Sequence, residues 1–348
     1  MPLLRAEWWE AHQPLVVFMW IILLVVPFAI VYGAGDTFET VLECIVNDYL
    51  TFIVLLFGLF CVSGNITVGG DFAGSPRVNA CLLALGTLLS SCIGTTGASM
   101  GGCLTPIVDP PLLMGFMRGV PFFWSMHLLP ILIFNLVILL FVFYHLDKKA
   151  YRKDIAEGRK PDISRPGTEF YIEGLHNIIL LAAFLSFKTT DSSIRTKNHF
   201  TWGAIKEVAV LFIGIFITMQ PALMLLKSVG PNLGISEPYQ MFWATGTLSS
   251  FLDNTPTYLV FLTTAGTLGL TGGITTALGQ IPVNLLEAIS CGAVFMGANT
   301  YIGNAPNFMV KAISDENGVN MPSFFGYILW SLAFLVPVFI LDMLVFFL

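Results

Sequence analysis

Two aspartates stand where an isolated carboxylate is hard to accommodate. Asp253 sits in Ser249–Tyr258, SSFLDNTPTY, a polar island in a long and otherwise apolar region. Asp109 sits in Thr105–Pro111, TPIVDPP. Two more polar knots accompany them, Ser90–Ser99 (SSCIGTTGAS) and Thr300–Asn307 (TYIGNAPN). Gly94, Gly97, Pro106, Pro110, Pro111, Pro256, Gly303 and Pro306 break any helix that enters these knots. In hydrocarbon, irregular backbone survives only where protein buries it or where it lines a wet cavity. A broken helix presents free carbonyls at one end and free N–H groups at the other. Carbonyls together with Ser, Thr and Asn oxygens suit a hard cation such as Na⁺, and the N–H ends suit a carboxylate or oxyanion.

An aspartate at bilayer depth costs roughly 2.5–3.5 kcal/mol on insertion scales, so each should be retained for a reason. A carboxylate that binds either H⁺ or Na⁺, but not both, is the minimal exchanger. The plainer alternative is that each aspartate caps a broken half-helix through its side chain. Asn254, Thr255, Asn299, Asn304 and Asn307 are the expected oxygen donors, with capping again as the plainer role. A Na⁺ ion is expected at Asp253, Asn254, Thr255 and Asn304. Lys311 could pair with Asp253 or hold an anion, and Glu287 could carry a second proton. Lys227 and Arg118 read as interfacial residues that snorkel, and His127 as packing at a helix start.

The knots are related to one another. SSCIGTT aligns with SSFLDNT, placing Ser90, Ser91 and Thr96 on Ser249, Ser250 and Thr255. Gly102, Thr105, Asp109 and Pro111 fall on Gly297, Thr300, Asn304 and Pro306 with identical spacing. Thr105 and Thr300 therefore join the candidate site. Paired interruptions in corresponding halves point to the central site of a transporter. The two copies differ in one respect. Thr255 and Thr300 are 45 residues apart but Thr96 and Thr105 only 9, so the first half is short by 36 residues after Met100. That is about one membrane helix with its loop.

Elements of the right length surround these knots. The 348 residues are 55% hydrophobic and 11% charged, with a mean hydropathy of +0.80. A soluble domain carries about 25% charged residues, so the solvent here is lipid. Pro14–Tyr32, Pro121–Tyr144, Gly203–Leu226 and Ser323–Leu348 are predicted spans, each near the ~20 residues a bilayer requires. Gly33–Asp48 is predicted as a polar connection and Leu50–Gly64 as a short apolar segment. Leu175–Phe187 is a further short apolar run, and Gly266–Gly273 a turn. His145–Arg165 holds seven of the sixteen Lys and Arg, which places it in the cytoplasm. The division that follows is a transmembrane half over 1–144, a loop and linker over 145–200, and a second transmembrane half over 201–348. The start, MPLLRAEWWEAHQP, lacks signal-peptide grammar, so the first span is expected to remain in the membrane. The six cysteines show no CxxC spacing and read as small packing residues. No nucleophile arrangement, metal box or phosphate loop stands out, which argues against an enzyme. No basic tract suits nucleic acid.

SSCIGTTGASM, GGCLTPIVDPPLLMGFMRGVPFFW, ITMQPAL, ATGTLSSFLDNTPTYLVF and GANTYIGNAPNFMVKAI together resemble the sodium/proton antiporter (NhaD-like) branch of the ion-transporter superfamily. That superfamily also holds arsenite pumps and citrate or dicarboxylate carriers. The resemblance implies two inverted halves, each with a re-entrant hairpin and an interrupted helix, and a homodimer. It places Thr95-Thr96 and Asn254-Thr255 on paired binding tips, and Asp109 and Asn304 on the second motif of each half. Members carry a helix-sized segment between GASM and GGCLTP, which this chain lacks, and begin with an apolar helix before the WWE-like stretch. The expectation is thus an all-α polytopic inner-membrane protein with two inverted repeats, the first shortened. It exchanges Na⁺ for H⁺ across the bilayer and needs no cofactor. The alternatives are a Na⁺-coupled citrate or dicarboxylate symporter, and a degenerate relative that keeps the fold without transport.

Overall fold

The computed structural model describes residues 6–63, 65, 67–69, 75–93, 101–106, 109–158, 171–173, 188–197, 202–304, 307, 310–311, 314 and 320–348. The chain is all-α and polytopic. Its helices are α1 (Ala6–Tyr32), α2 (Ala34–Glu43), α3 (Thr51–Ser63), α4 (Pro76–Ile93), α5 (Pro110–Met117), α6 (Leu129–Ala156), α7 (Ser192–Lys197), α8 (Gly203–Val229), α9 (Pro238–Ser249), α10 (Asn254–Thr267), α11 (Val283–Met296) and α12 (Phe324–Asp342). Among the described residues, strands are confined to two short antiparallel pairs. β1 (Thr67–Gly69) pairs with β2 (Tyr171–Glu173), and β3 (Ile274–Thr276) pairs with β4 (Gly279–Ile281).

Among the described residues, five helical stretches are long and apolar enough to cross a bilayer: Ala11–Tyr32, Ala34–Gly58, Phe122–Ala156, Val208–Val229 and Phe324–Phe347. Four correspond to the spans predicted from apolar run length. The fifth corrects the sequence reading, because Gly33–Asp48 is not a connection. After Gly33, α2 leads through a π-helical turn, Cys44–Leu50, directly into α3. The sequence looks polar there because of Asp36, Thr37, Glu39, Thr40, Glu43 and Asp48. Its apolar residues nevertheless recur at helical spacing, and the π-helical turn packs on α8, where the Tyr49 hydroxyl donates to the Ala209 carbonyl (3.0 Å). A second correction concerns the basic loop. α6 continues past Tyr144 through the first basic residues to Ala156, where Lys153 lies 3.8 Å from Glu157, one helical turn on. The Leu175–Phe187 run lies outside the described residues.

Arg118 is also corrected. It does not snorkel but forks onto both oxygens of Asp48, at 2.8 and 2.9 Å. The pair joins the π-helical turn to the end of α5. Asp48→Asn should destabilise the chain by about 1.5 kcal/mol, the loss of one charge-assisted hydrogen-bonded contact. Thermal melting in detergent, with Arg118→Lys beside it as a weaker lesion, reads that out.

The core lies between the broken helices rather than the long ones. α11 is buried almost all round, and at 14 residues it is too short to span. It packs most extensively on α9, where small residues let the backbones approach. A Cβ on Gly292 would stand 2.6 Å from the Phe242 carbonyl, and one on Gly246 would collide with the Met296 side chain. α10 fills the angle between α8, α11 and α5. The long helices turn apolar side chains outward instead. Leu15, Phe18, Phe325 and Leu329 are well exposed, as lipid-facing residues should be.

Candidate ion site at the helix breaks

α9 starts with a capping box. Glu237 accepts from the first turn while Gln240 reaches back to the Glu237 N–H, and Pro238 occupies the first helical position. It ends at Ser249, four residues before Asp253, and α10 restarts at Asn254. α11 ends at Met296 and passes through one 3₁₀ turn, Gly297–Asn299, into the fourth knot. The breaks in the second half thus fall where glycine, proline and hydroxyl residues predicted them.

The third and fourth knots interlock. Ser249 Oγ donates to the Ala293 carbonyl (2.6 Å) and Ser250 Oγ to the Met296 carbonyl (3.0 Å). Asn299 Nδ2 donates to Ser250 Oγ (3.0 Å), and the Thr300 hydroxyl donates to the Ser250 carbonyl. Asn307 Nδ2 spans the Gly297 and Thr300 carbonyls, both at 3.0 Å. These bonds satisfy the free carbonyls that broken helices leave behind. Asn299 and Thr300 therefore act first as clasps between the knots, and Asn307 ties the fourth knot to the turn that precedes it.

The two aspartates take different roles. Asp253 is the N-cap of α10: the Thr255 N–H donates to its Oδ1 (2.9 Å), and the Thr257 hydroxyl donates to its backbone carbonyl (2.9 Å). Asp109 occupies the same position before α5 but makes no capping bond. The Leu112 N–H faces it without closing a hydrogen bond of normal geometry. Asp109 is 0% exposed, and neither carboxylate oxygen has a hydrogen-bond partner among the described residues. A buried polar group without a partner is rare enough to need an explanation.

The surroundings of Asp109 come from both halves. The Asp253 carboxylate is close enough for its charge to act on Asp109, and Asp109 in turn acts on Cys103 and Tyr258. Tyr258 is fully buried, and its hydroxyl lies against Gly115, where a Cβ would stand 2.5 Å away. The Tyr258 and Ser290 hydroxyls face each other without closing a hydrogen bond of normal geometry, and Asn254 Nδ2, Asn304 Nδ2 and Asn299 Oδ1 lack partners among the described residues. Asn254 reaches the fourth knot, since its Cβ lies 3.8 Å from where a Gly297 Cβ would be.

Thus the second, third and fourth knots come together through α5, α10 and α11. Thr255 is buried beside Asn254, with its hydroxyl 3.4 Å from Asn254 Oδ1. Asn304 is buried at the clasp, and Thr105 is half-buried at the end of a 3₁₀ turn, Gly101–Leu104. Thr95 and Thr96 lie outside the described residues. Lys311 lies over the Tyr301 ring, 5.7 Å from its centroid. Sequence reasoning overlooked Tyr258 and Ser290, which read as ordinary helix residues. Their signal is a hydroxyl within an otherwise apolar helical face.

Broken helices, buried unpartnered polar atoms and spans on either side define a multi-pass membrane protein of the secondary-transporter class. The chain belongs to the family described as "Putative citrate transport", whose profile matches residues 1–101, 98–184 and 178–347. The first two matched segments meet over residues 98–101. No curated protein matches the chain.

Proposed function

We propose that this chain is a cation-driven secondary transporter of the inner membrane in which Asp109 carries the cation. Na⁺/H⁺ exchange, as in the NhaD-like branch, is the reading the geometry supports best. The observation that carries it is the Asp109 carboxylate, fully buried with both oxygens unpartnered among the described residues. An ionised carboxylate in that setting is uncompensated, whereas a bound H⁺ or Na⁺ neutralises it. The two cannot bind together, so alternating occupancy couples one flux to the other. The Asp253 charge nearby adds to the attraction for a cation.

A second reading has its own support. The family match concerns citrate, and the amide N–H groups of Asn254 and Asn304 await acceptors. A trianion approaching this site meets two carboxylates, so citrate would have to arrive with co-bound cations. One vesicle experiment separates the readings. With an imposed pH gradient, adding Na⁺ alone should collapse the gradient if the chain exchanges Na⁺ for H⁺. Citrate-dependent Na⁺ uptake, with no collapse in its absence, overturns that preference and establishes symport. The 36-residue shortfall after Met100 and the junction of two matched segments over residues 98–101 both bear on a third outcome, in which neither flux exceeds that of empty vesicles. That result would mark the chain as a relative that retains the fold alone.

A further inference from the structure

We propose that Asp342 is a second proton-binding carboxyl, held by Asn135 at the seam of α6 and α12 and separate from the carboxylate of the knots. Asp342 is the last residue of α12 and lies within the Phe324–Phe347 span, 0% exposed. Both of its oxygens lie 3.0 Å from Asn135 Nδ2, and Asn135 is equally buried on α6. The other hydrogen of that amide goes to the Ile131 carbonyl (2.9 Å). A single N–H is therefore shared between two carboxylate oxygens. An ionised carboxylate offers about four acceptor sites, so this one would be poorly served.

No cation among the described residues compensates it. The ion pairs among the described residues are Arg118–Asp48 and Lys153–Glu157, and neither involves Asp342. From α9, Trp243 turns its indole N–H to Met343 Sδ (3.0 Å). From α11, Cys291 faces Asp342 as a free thiol and also feels Cys103 and Glu287. A charged Asp342 would thus stand in the hydrocarbon layer with one shared amide hydrogen and no counter-charge.

A proton completes the pair. Asn135 Oδ1 is buried and has no hydrogen-bond partner among the described residues. It is the acceptor that a protonated Asp342 would use once the amide turns, and acid and amide would then satisfy each other. Asn135 lines a cavity of about 490 Å³ between α4, α6 and α12, together with Thr87, Asn307 and Tyr327. Asn307 braces the fourth knot, so the cavity connects this pair to the neighbourhood of the main site. The π-helical turn that follows Asp342, Met343–Phe347, is a local irregularity of the kind that accompanies functional positions.

Infrared spectroscopy of the purified full chain in lipid tests this without a transport assay. At neutral pH the wild-type spectrum should hold a protonated-carboxyl C=O band that Asp342→Asn loses and Asp109→Asn keeps. Asn135→Leu should shift the band by removing its hydrogen-bonding partner, and this variant serves alone if Asp342→Asn fails to fold. A carboxyl region that is superimposable in wild type and Asp342→Asn, or a band unmoved by Asn135→Leu, overturns the proposal. Because the readout is the proton itself, these outcomes stand whichever solute the vesicle experiment identifies.

Discussion

Asp109→Asn should reduce transport to the level of empty vesicles while leaving the fold intact. The substitution is nearly isosteric. It removes no hydrogen bond, because neither carboxylate oxygen has a partner among the described residues and the helix-capping position is unused. It also removes a charge from a site where charge is costly, so the melting temperature should hold or rise. What disappears is the group that can hold a cation. Asp253 supplies the contrast. Asp253→Asn keeps an oxygen for the Thr255 N–H, and asparagine caps as well as aspartate, so stability should be unchanged and transport reduced only in part. Asp253→Ala should cost about 1 kcal/mol through the lost cap. Flux and melting measured on the three variants separate ion carrier from structural cap. Full flux in Asp109→Asn would remove the basis of the cation reading.

Gly303→Ala should destabilise the chain by about 3 kcal/mol and abolish transport with it, at the upper end of ordinary overpacking. A Cβ there would lie 2.6 Å from the Gly297 carbonyl oxygen, 2.7 Å from that of Ser249 and 3.1 Å from that of Ser250. All three are backbone atoms, two from the third knot and one from the 3₁₀ turn that leads into the fourth. No side chain can swing aside to relieve the contact, so the clasp formed by Ser250, Asn299 and Thr300 must open. Gly86→Ala is the matched control. Nothing lies within 4 Å of the added methyl on α4, and alanine favours helix, so stability should hold or rise slightly. Thermal melting of the two variants side by side gives the difference, and equal melting would mean that the knots do not interlock at Gly303.

Much of this architecture is legible in the sequence because it depends on local properties. Run length and apolar content determine whether a segment can cross a bilayer, and four of the five spans follow from them. The failure at Gly33–Asp48 is informative. Asp48 makes that stretch look like a loop until Arg118, 70 residues on in sequence, is seen to neutralise it. The continuation of α6 past Tyr144 has a related cause. Lysine and arginine are good helix formers, and a charged helix end can project into water.

The site divides in the same way. The sequence by itself determined a membrane protein with four breaks, and nominated two aspartates with a set of hydroxyls and amides around them. Single prolines such as Pro14, Pro27, Pro221 and Pro337 sit inside continuous helices, whereas proline or glycine clustered with polar residues marks the breaks, and such clusters are visible without tertiary information. Only the tertiary structure decided what each polar group does. Asp109 and Asp253 precede similar helix starts, yet one is left without a partner and the other caps its helix. Asn299 and Thr300, nominated as ion ligands, also hold the third knot to the fourth, and Asn307 braces the fourth knot internally. Asn135 and Asp342 meet across 207 residues of chain. Whether a buried group is satisfied depends on which distant segment packs against it, and sequence spacing carries no record of that.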